Sequence, residues 1–213
     1  MDVVIGGGHG KIALRLERLL AARGDTARGL VRNPDHFDDV SAAGAQAVLA
    51  DLESDVDLGP VVAGADAIVF AAGAGPGSGD ARKRTMDLGG AVKLIEAAKA
   101  AGIRRYVIVS SMGADHPERA SGTFGAYLAA KSKADNALRA SGLDYTVMRP
   151  GGLTDDPGTG TVDVSERLGR RGQIPRDDVA AALVAVLDAP NTIGKTFEIL
   201  SGGTPVDEAI NAL

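Results

Sequence analysis

The chain has 213 residues, 45% of them hydrophobic and 24% charged, which predicts one globular domain with a substantial core. A net charge of −5 and an aromatic content of 3% argue against a protein that binds nucleic acid. The absence of cysteine excludes disulfides and thiolate chemistry, and the three histidines lack ligand spacing, so no metal is expected.

No targeting or membrane segment is predicted. The N-terminus enters a strand at once, and no apolar run reaches the ~18–20 residues that a membrane span needs. We therefore expect a cytoplasmic protein, monomeric or homodimeric, with a small-molecule substrate and neither a nucleic-acid nor a membrane partner.

The first predicted elements are a strand, a glycine turn and a helix. A β-branched run at 3–5 leads into four glycines and then an amphipathic segment. This order sets a helix N-terminus against an anion such as a dinucleotide pyrophosphate. The spacing GxxGxxA at 7–13 fits such a turn, whereas GxGxxK at 6–11 fails at its last position; an ordinary tight turn is the alternative. The predicted cofactor-binding residues here are Gly7, Gly8, His9, Gly10, Lys11 and Ile12.

Strands and helices alternate along the remaining chain. Further strands are predicted at 26–31, 46–50, 67–72, 106–110, 145–149 and 196–200. Further helices are predicted at 34–43, 54–63 (with Ser54 able to cap it), 81–101 (ended by Gly102) and 124–140, and at 175–187 with Pro175 in its first turn.

Two segments lack a regular pattern. Residues 74–79 are too rich in glycine for any element, and the glycine and charge content of 151–172 predicts a mobile flap. The alternation elsewhere predicts a single Rossmann-like α/β domain over 1–213, with small substrate-side elements at about 151–213. Its doubly wound parallel sheet would have helices on both faces and bind ligands at the carboxyl ends of its strands.

The second strand ends in Arg32 and Asn33, where an NAD site usually has an acidic residue. A guanidinium binds the 2′-phosphate of NADP through a bidentate fork and gains nothing comparable from a hydroxyl. We therefore expect NADP (NADPH) to be preferred over NAD, with both residues at the cofactor. An exposed arginine at a strand end is the alternative interpretation.

Two further strand ends carry candidate cofactor contacts. Asp51 can accept a hydrogen bond from an adenine amino group, with Leu52 against the ring, and a helix-capping aspartate is the alternative. The small residues Ala71, Ala72 and Gly73 would let the cofactor lie close to the backbone, and a simple turn explains them nearly as well.

The catalytic candidates are Tyr127, Lys131 and a serine at the end of the fifth strand. Tyr127 and Lys131 are four residues apart on a predicted helix and share a face. An ammonium beside a phenol favours the ionised phenol and suits it to general acid/base work. Ser110 or Ser111 would hold the substrate oxygen. A pair on the helix surface is the alternative.

These motifs together resemble the short-chain dehydrogenase/reductase superfamily. The similarity is to its compact atypical branch, whose members are NAD-dependent epimerase/dehydratase-like, NmrA-like or biliverdin reductase B-like. The matching segments are 7–13, 31–34, 51–52, 71–73, Asp87 with Gly90 before 95–98, 109–113, 127–131, 148–153, 177–180 and 196–198.

The resemblance implies a role for each candidate. Tyr127 and Lys131 would be the catalytic pair, with Lys131 also on the nicotinamide ribose, and Ser111 the oxyanion-side hydroxyl, with Ser110 one register away. Backbone contacts to the nicotinamide are implied for Pro150, Gly151, Gly152 and Leu153. The chain lacks the long substrate domain of the extended members, which weakens an epimerase assignment.

The predicted function is an NADP-dependent oxidoreductase. It would transfer hydride between nicotinamide and a small carbonyl, quinone or flavin-like acceptor while residues 151–172 close over the site. The alternatives are a non-catalytic NADP(H)-binding redox sensor of NmrA-like type, and a sugar epimerase/dehydratase-like isomerase that returns the hydride.

Overall fold

The predicted alternation of strands and helices runs through the computed structural model, which describes residues 1–75 and 77–213. The strands are β1 (Asp2–Gly6), β2 (Thr26–Val31), β3 (Gln46–Leu49), β4 (Ala67–Phe70), β5 (Arg105–Val109), β6 (Asp144–Pro150), β7 (Gly152–Thr154), β8 (Thr161–Ser165), β9 (Gln173–Pro175), β10 (Lys195–Ser201) and β11 (Thr204–Pro205). The helices are α1 (Lys11–Ala22), α2 (Phe37–Ala42), α3 (Gly59–Val62), α4 (Asp80–Arg82), α5 (Ala91–Ala100), α6 (Gly122–Arg139), α7 (Arg176–Asp188) and α8 (Val206–Asn211). Single 3-10 turns lie at Pro34–His36, Pro117–Arg119 and Pro190–Thr192.

The main sheet of the described residues has nine strands in the order β11-β8-β10-β6-β5-β4-β1-β2-β3. Neighbouring strands are parallel from β10 to β3, whereas β8 is antiparallel to both β10 and β11. The strand order reverses between β1 and β4, where sheets of this kind bind ligands. The predicted doubly wound Rossmann-like fold is confirmed, with antiparallel strands added at one edge.

Apolar side chains alternate between the two faces of the sheet and build a core on each. On one face Ile5 packs in a cluster with Leu16 of α1 and Leu183 of α7. On the other face Phe70 packs in a cluster with Leu94 of α5 and with α6. The predicted helices on both faces are therefore present, and the carboxyl edge between the two layers is left open.

The helix predicted at 54–63 is mostly wrong, since only α3 forms there. Ser54 does not cap it: its hydroxyl donates to the Asp51 carbonyl at 2.9 Å within a turn. The Asp57 carboxylate accepts from the Gly59 N–H at 2.9 Å just before α3. Such local side-chain bonds compete with helix formation and explain the shorter element.

The prediction of an irregular segment at 151–172 is wrong in part, because two strands form within it, and its mobility stays a prediction. Its residues form β7, which pairs with β9, and β8, which joins the main sheet beside β10. In β8 the apolar residues Val162 and Val164 alternate with polar ones. The alternating segment is so short and contains so many polar residues that it does not stand out from the surrounding glycines and charges.

The long helix predicted at 81–101 runs from α4 to α5, and Gly102 follows it with φ +73° as predicted. Its middle, Lys83–Gly90, is a π-helix, which the periodicity does not reveal. Pro175 precedes α7 as its N-cap instead of lying in the first turn. Of the loop predicted at 74–79, Pro76 lies outside the described residues.

Candidate functional site

The glycine turn after β1 needs glycine at two successive positions. Gly7 has φ +83°, and a Cβ there would lie 2.6 Å from the Cα of Ala72. A Cβ at Gly8 would lie 2.6 Å from the Cα of Gly29 in β2. The Gly8 N–H donates to the Leu30 carbonyl at 2.9 Å and holds the turn against β2. The turn is thus packed between two strands.

Gly10 is the N-cap of α1 and donates its N–H to the Gly7 carbonyl at 2.8 Å. The N–H groups of Lys11, Ile12 and Ala13 donate to no backbone carbonyl of the described residues, as expected for a first helical turn. That turn holds no acidic side chain that would neutralise the helix dipole. This end of α1 therefore fits an anion such as a pyrophosphate.

A cleft of about 290 Å³ opens at the carboxyl ends of β1, β2, β3 and β4. Nine of the predicted cofactor-binding residues line it: Gly7, His9, Gly10, Arg32, Asp51, Leu52, Ala71, Ala72 and Gly73. The lining also includes His36, Arg82 and Met86, which the sequence analysis did not single out. The predicted residues outside this lining are Gly8, Lys11, Ile12, Asn33, Ser110, Ser111, Tyr127, Lys131, Pro150, Gly151, Gly152 and Leu153.

Asp51 and Asn33 both make local turn bonds. The Asp51 carboxylate accepts from the Glu53 N–H at 2.9 Å, and Leu58, not Asp51, occupies the N-cap of α3. The alternative of a helix-capping Asp51 is therefore wrong. The Asn33 side chain accepts from the Asp35 N–H at 3.1 Å and caps the 3-10 turn after β2.

Arg32 and Arg82 meet the carboxylate of Glu53 at the rim of the cleft. Arg82 Nε lies 3.1 Å from Glu53 Oε2, and Arg32 Nη1 lies 3.6 Å from the same oxygen. The Thr85 hydroxyl donates to the other oxygen, Oε1, at 2.5 Å. Arg82 and Glu53 carry no signal in the sequence, because only the tertiary contact between α4 and the turn after β3 brings them to Arg32.

The two residues on either side of Gly10, His9 and Lys11, contact other side chains. The rings of His9 and His36 stack with centroids 3.7 Å apart, and His9 Nε2 is 2.7 Å from Asp39 Oδ2. Lys11 Nζ donates to Asp155 at 2.5 Å, and this hydrogen bond is the main cause that lowers the pKa of Asp155. Lys11 thus faces the segment after β7.

Lys131 is a buried residue of α6 that holds the ends of two strands. Its ammonium donates to the carbonyl of Val109 at 3.0 Å and to that of Ala72 at 3.3 Å, and lies 3.4 Å from Asp87 Oδ1. Asp87 is fully buried in the π-helical segment and accepts from the Ala74 N–H at 3.2 Å. Lys131 thus makes two hydrogen bonds and one ion-pair contact, and Asp87 Oδ1 has no hydrogen-bond partner among the described residues.

The ring of Tyr127 lies beside two ammonium groups. Lys83 Nζ is 5.3 Å and Lys131 Nζ is 5.8 Å from the ring centroid, within the range of cation–π attraction. Lys83 is 7% exposed and donates to the Gly75 carbonyl at 2.9 Å. Phe124 stacks on Tyr127 with ring centroids 6.0 Å apart. The π-helical segment places Lys83 here, and no sequence signal revealed it.

The two candidate serines lie in different surroundings. Ser110 is buried, and its hydroxyl donates to Asp135 Oδ2 at 2.9 Å. Arg149 also donates to Asp135, from Nη2 at 2.9 Å, while burial raises the pKa of that carboxyl. Ser111 is half-buried, and its hydroxyl donates only locally, to the Met112 carbonyl at 3.2 Å. Ser111 is therefore the more available of the two.

The segment after β6 is held by neighbouring backbone. The Gly151 N–H donates to the Ile199 carbonyl at 3.1 Å, and the Gly152 N–H donates to Gly172 at 2.9 Å. A Cβ at Gly151 would lie 2.3 Å from Leu200 Cδ2, so glycine is needed there for packing. These amide groups are thus already used, and the predicted contacts of 150–153 with a nicotinamide stay a prediction.

Membrane-spanning helices and metal-binding clusters are absent from the described residues. Within residues 1–75 and 77–213, no helix has the length and apolar character needed to cross a bilayer. The same residues contain no group of three His, Asp or Glu side chains arranged to hold a metal ion.

Comparisons with known proteins agree with this geometry. A family model described as NAD(P)H-binding matches residues 7–190. The chain is 43% identical to the uncharacterized sugar epimerase YhfK of Bacillus subtilis (strain 168), over 100% of both chains. It is similar to a solved structure from Bacillus halodurans named for NAD-dependent epimerases/dehydratases, with a TM-score of 0.95 and 39% identity over 100% of both chains. It is also similar to the oxidoreductase ylbE of Lactococcus lactis, with a TM-score of 0.87 and 27% identity over 100% of this chain and 96% of that one.

Proposed function

The chain belongs to the NAD(P)H-binding family, and from this premise we propose that it is an NADP-dependent oxidoreductase of the short-chain dehydrogenase/reductase type. Its acceptor would be a small carbonyl, quinone or flavin-like molecule. One observation carries the proposal: the Tyr127 ring lies beside two ammonium groups, and one of them, on Lys131, also binds the carbonyl of the cleft residue Ala72.

The cleft supplies the cofactor-binding part of the proposal. The free N–H groups at the start of α1 would hold the pyrophosphate, and Asp51 with Leu52 would take the adenine. Arg32 would take the 2′-phosphate. The dinucleotide, when bound, supplies or accepts the hydride. The elements at 151–213 would form the substrate side.

Tyr127 would exchange a proton with the substrate oxygen. The ammonium groups of Lys83 and Lys131 beside its ring place positive charge near the phenol. Because its ammonium binds the carbonyls of Val109 and Ala72 and lies beside the carboxylate of Asp87, we assign Lys131 an electrostatic and positioning role. The hydroxyl of Ser111 would orient the substrate.

Replacing Tyr127 by Phe tests the mechanism. We expect carbonyl turnover to fall about 10²- to 10⁴-fold, because general acid/base catalysis is removed. The affinity for NADPH should stay within a few-fold of the wild type. The measurements are the loss of NADPH absorbance with a panel of aldehydes, quinones and flavins, and a calorimetric titration with NADPH.

Tyr145→Phe is the matched control, since Tyr145 lies near the start of β6, at the opposite end of the strand from Pro150. It should turn over substrate like the wild type. Unchanged carbonyl turnover in Tyr127→Phe would reject the proposed mechanism.

A second candidate, a sugar isomerase that returns the hydride, is favoured by the names of the two relatives with 43% and 39% identity. It predicts conversion of a sugar substrate without net NADPH consumption. The same purified protein, assayed with nucleotide sugars and chromatographic product analysis, separates the two candidates.

A further inference from the structure

We infer that Arg82 and Arg32 together form the subsite for the adenosine 2′-phosphate, and that Glu53 occupies this subsite as an internal anion that the phosphate displaces. The inference rests on the proposed use of NADP. It assigns a role in cofactor specificity to Arg82 and Glu53, which lie outside the motifs of the sequence.

The geometry places two guanidinium groups around one carboxylate. Arg32 extends from the end of β2 and Arg82 from the end of α4, and both line the cleft. Glu53 Oε2 is 3.1 Å from Arg82 Nε and 3.6 Å from Arg32 Nη1. One negative charge is thus shared by two positive charges, so the cluster of these three side chains keeps a net positive charge.

The two arginines are open to solvent and to a ligand, and Glu53 between them is half-buried. The side chains of Arg32, Arg82 and Glu53 are 49%, 34% and 19% exposed. Ion pairs between partly exposed side chains contribute little to stability, so we expect the loss of the Glu53 contacts to cost little. The cluster can therefore open without disturbing the fold.

A phosphate monoester is a stronger partner for this pair than a carboxylate. It carries about −1.5 to −2 charge and three acceptor oxygens, so it can engage both arginines at once. The ribose 2′-hydroxyl of NAD is neutral and leaves the Arg32–Glu53–Arg82 cluster intact. The cluster thereby discriminates between NADP and NAD by the charge at the 2′ position of the ribose.

The test is the calorimetric affinity of the full chain for NADP⁺ and for NAD⁺. We expect Arg82→Ala to weaken NADP⁺ binding about 10- to 100-fold, as Arg32→Ala does, because a hydrogen bond between charged groups is lost. Binding of NAD⁺ should stay within a few-fold. Arg84→Ala is the matched control, since Arg84 is exposed on the same helix and does not line the cleft.

The variant Glu53→Gln tests the displacement. Removing the internal anion should tighten NADP⁺ binding by about 2- to 5-fold, the value of an exposed ion pair, and leave NAD⁺ unchanged. Weaker NADP⁺ binding in Glu53→Gln, or weaker NAD⁺ binding caused by loss of a ribose contact, would overturn the displacement. Thermal melts of each variant check that it is folded.

The outcomes separate this inference from the proposed function. If Arg82→Ala binds NADP⁺ like Arg84→Ala while the wild type prefers NADP⁺, the two-arginine subsite is rejected and the NADP proposal stands. If the wild type binds both cofactors equally, the NADP preference and this subsite fall together. Turnover does not enter the readout, so failure of the Tyr127 mechanism leaves the inference intact.

Discussion

Glu17 of α1 is a buried carboxyl whose oxygens have no hydrogen-bond partner among the described residues. It lies over β2, where a Cβ on Gly29 would be 2.5 Å from Glu17 Oε1. Burial raises its pKa from 4.5 to about 8, against a smaller lowering by Arg18. The folded protein therefore keeps this proton well above the pH at which the unfolded chain releases it.

This difference predicts a loss of stability with rising pH. Between about pH 4.5 and pH 8 the folded state binds more protons at Glu17 than the unfolded state, so the free energy of unfolding falls through that window. Glu17→Gln removes this contribution, which is on the order of a few kcal/mol. Urea unfolding at several pH values should show the variant gaining stability over the wild type as the pH rises.

The control for this experiment is Glu166→Gln, an exposed glutamate after β8. Its unfolding free energy should follow the wild type at every pH. A difference between Glu17→Gln and wild type that does not change with pH would contradict the assignment of a protonated Glu17.

The two serines after β5, Ser110 and Ser111, provide another test at the level of single residues. Ser110→Ala removes a donor to the buried Asp135 and should destabilise the protein by ~1–3 kcal/mol. Ser111→Ala should leave stability nearly unchanged, because its hydroxyl makes a local bond to the Met112 carbonyl. It should lower turnover, because we propose that this hydroxyl orients the substrate. Melting curves and NADPH oxidation assays on both variants decide; the opposite pattern would move the substrate hydroxyl to Ser110.

At the scale of elements, the π-helical segment Lys83–Gly90 connects the cleft to α6. Lys83 and Asp87 both lie on this segment, and both face α6: Lys83 approaches the Tyr127 ring, and Asp87 pairs with Lys131. Single π turns often occur at functional sites. The segment thus fixes the charges around the proposed catalytic residues.

The ion pair between Asp87 of the π-helical segment and Lys131 of α6 can be tested by a double-mutant cycle on the free energy of unfolding. Asp87→Ala leaves the ammonium of Lys131 buried without a carboxylate and should cost about 3–5 kcal/mol of unfolding free energy. Adding Lys131→Met should recover part of this loss, because the unpaired charge is then gone. Asp80→Ala, an exposed acid of α4, is the control and should behave like the wild type in urea.

At the scale of the whole molecule, the sheet brings the two parts of the site to one edge. The glycine turn follows β1, the Ala71–Gly73 backbone follows β4, and Lys131 reaches the carbonyls after β4 and at the end of β5. The last part of the chain contacts the same edge through Asp155, which binds Lys11 of α1 and Arg176 of α7. Strand order, not sequence neighbourhood, makes these residues adjacent.

Much of the fold and part of the proposed site were predictable from the sequence, for a physical reason. Strands and helices arise from local periodicity, and the predicted bounds of β2 agree with the structure. The predicted cofactor residues that line the cleft lie at strand ends, where the rule for parallel sheets places ligands. The segment at 151–172 was misjudged because β8 forms by pairing with the distant strands β10 and β11.

The sequence alone determined the strand, glycine turn and helix at the N-terminus, because a positive φ and the close approach to Ala72 and Gly29 allow only glycine there. The tertiary structure alone decided the partners: Glu53 and Arg82 for Arg32, Asp87 for Lys131, Lys83 for Tyr127, and Asp135 for Ser110. Such pairings depend on contacts between elements far apart in the chain, and periodicity and spacing carry no information about them.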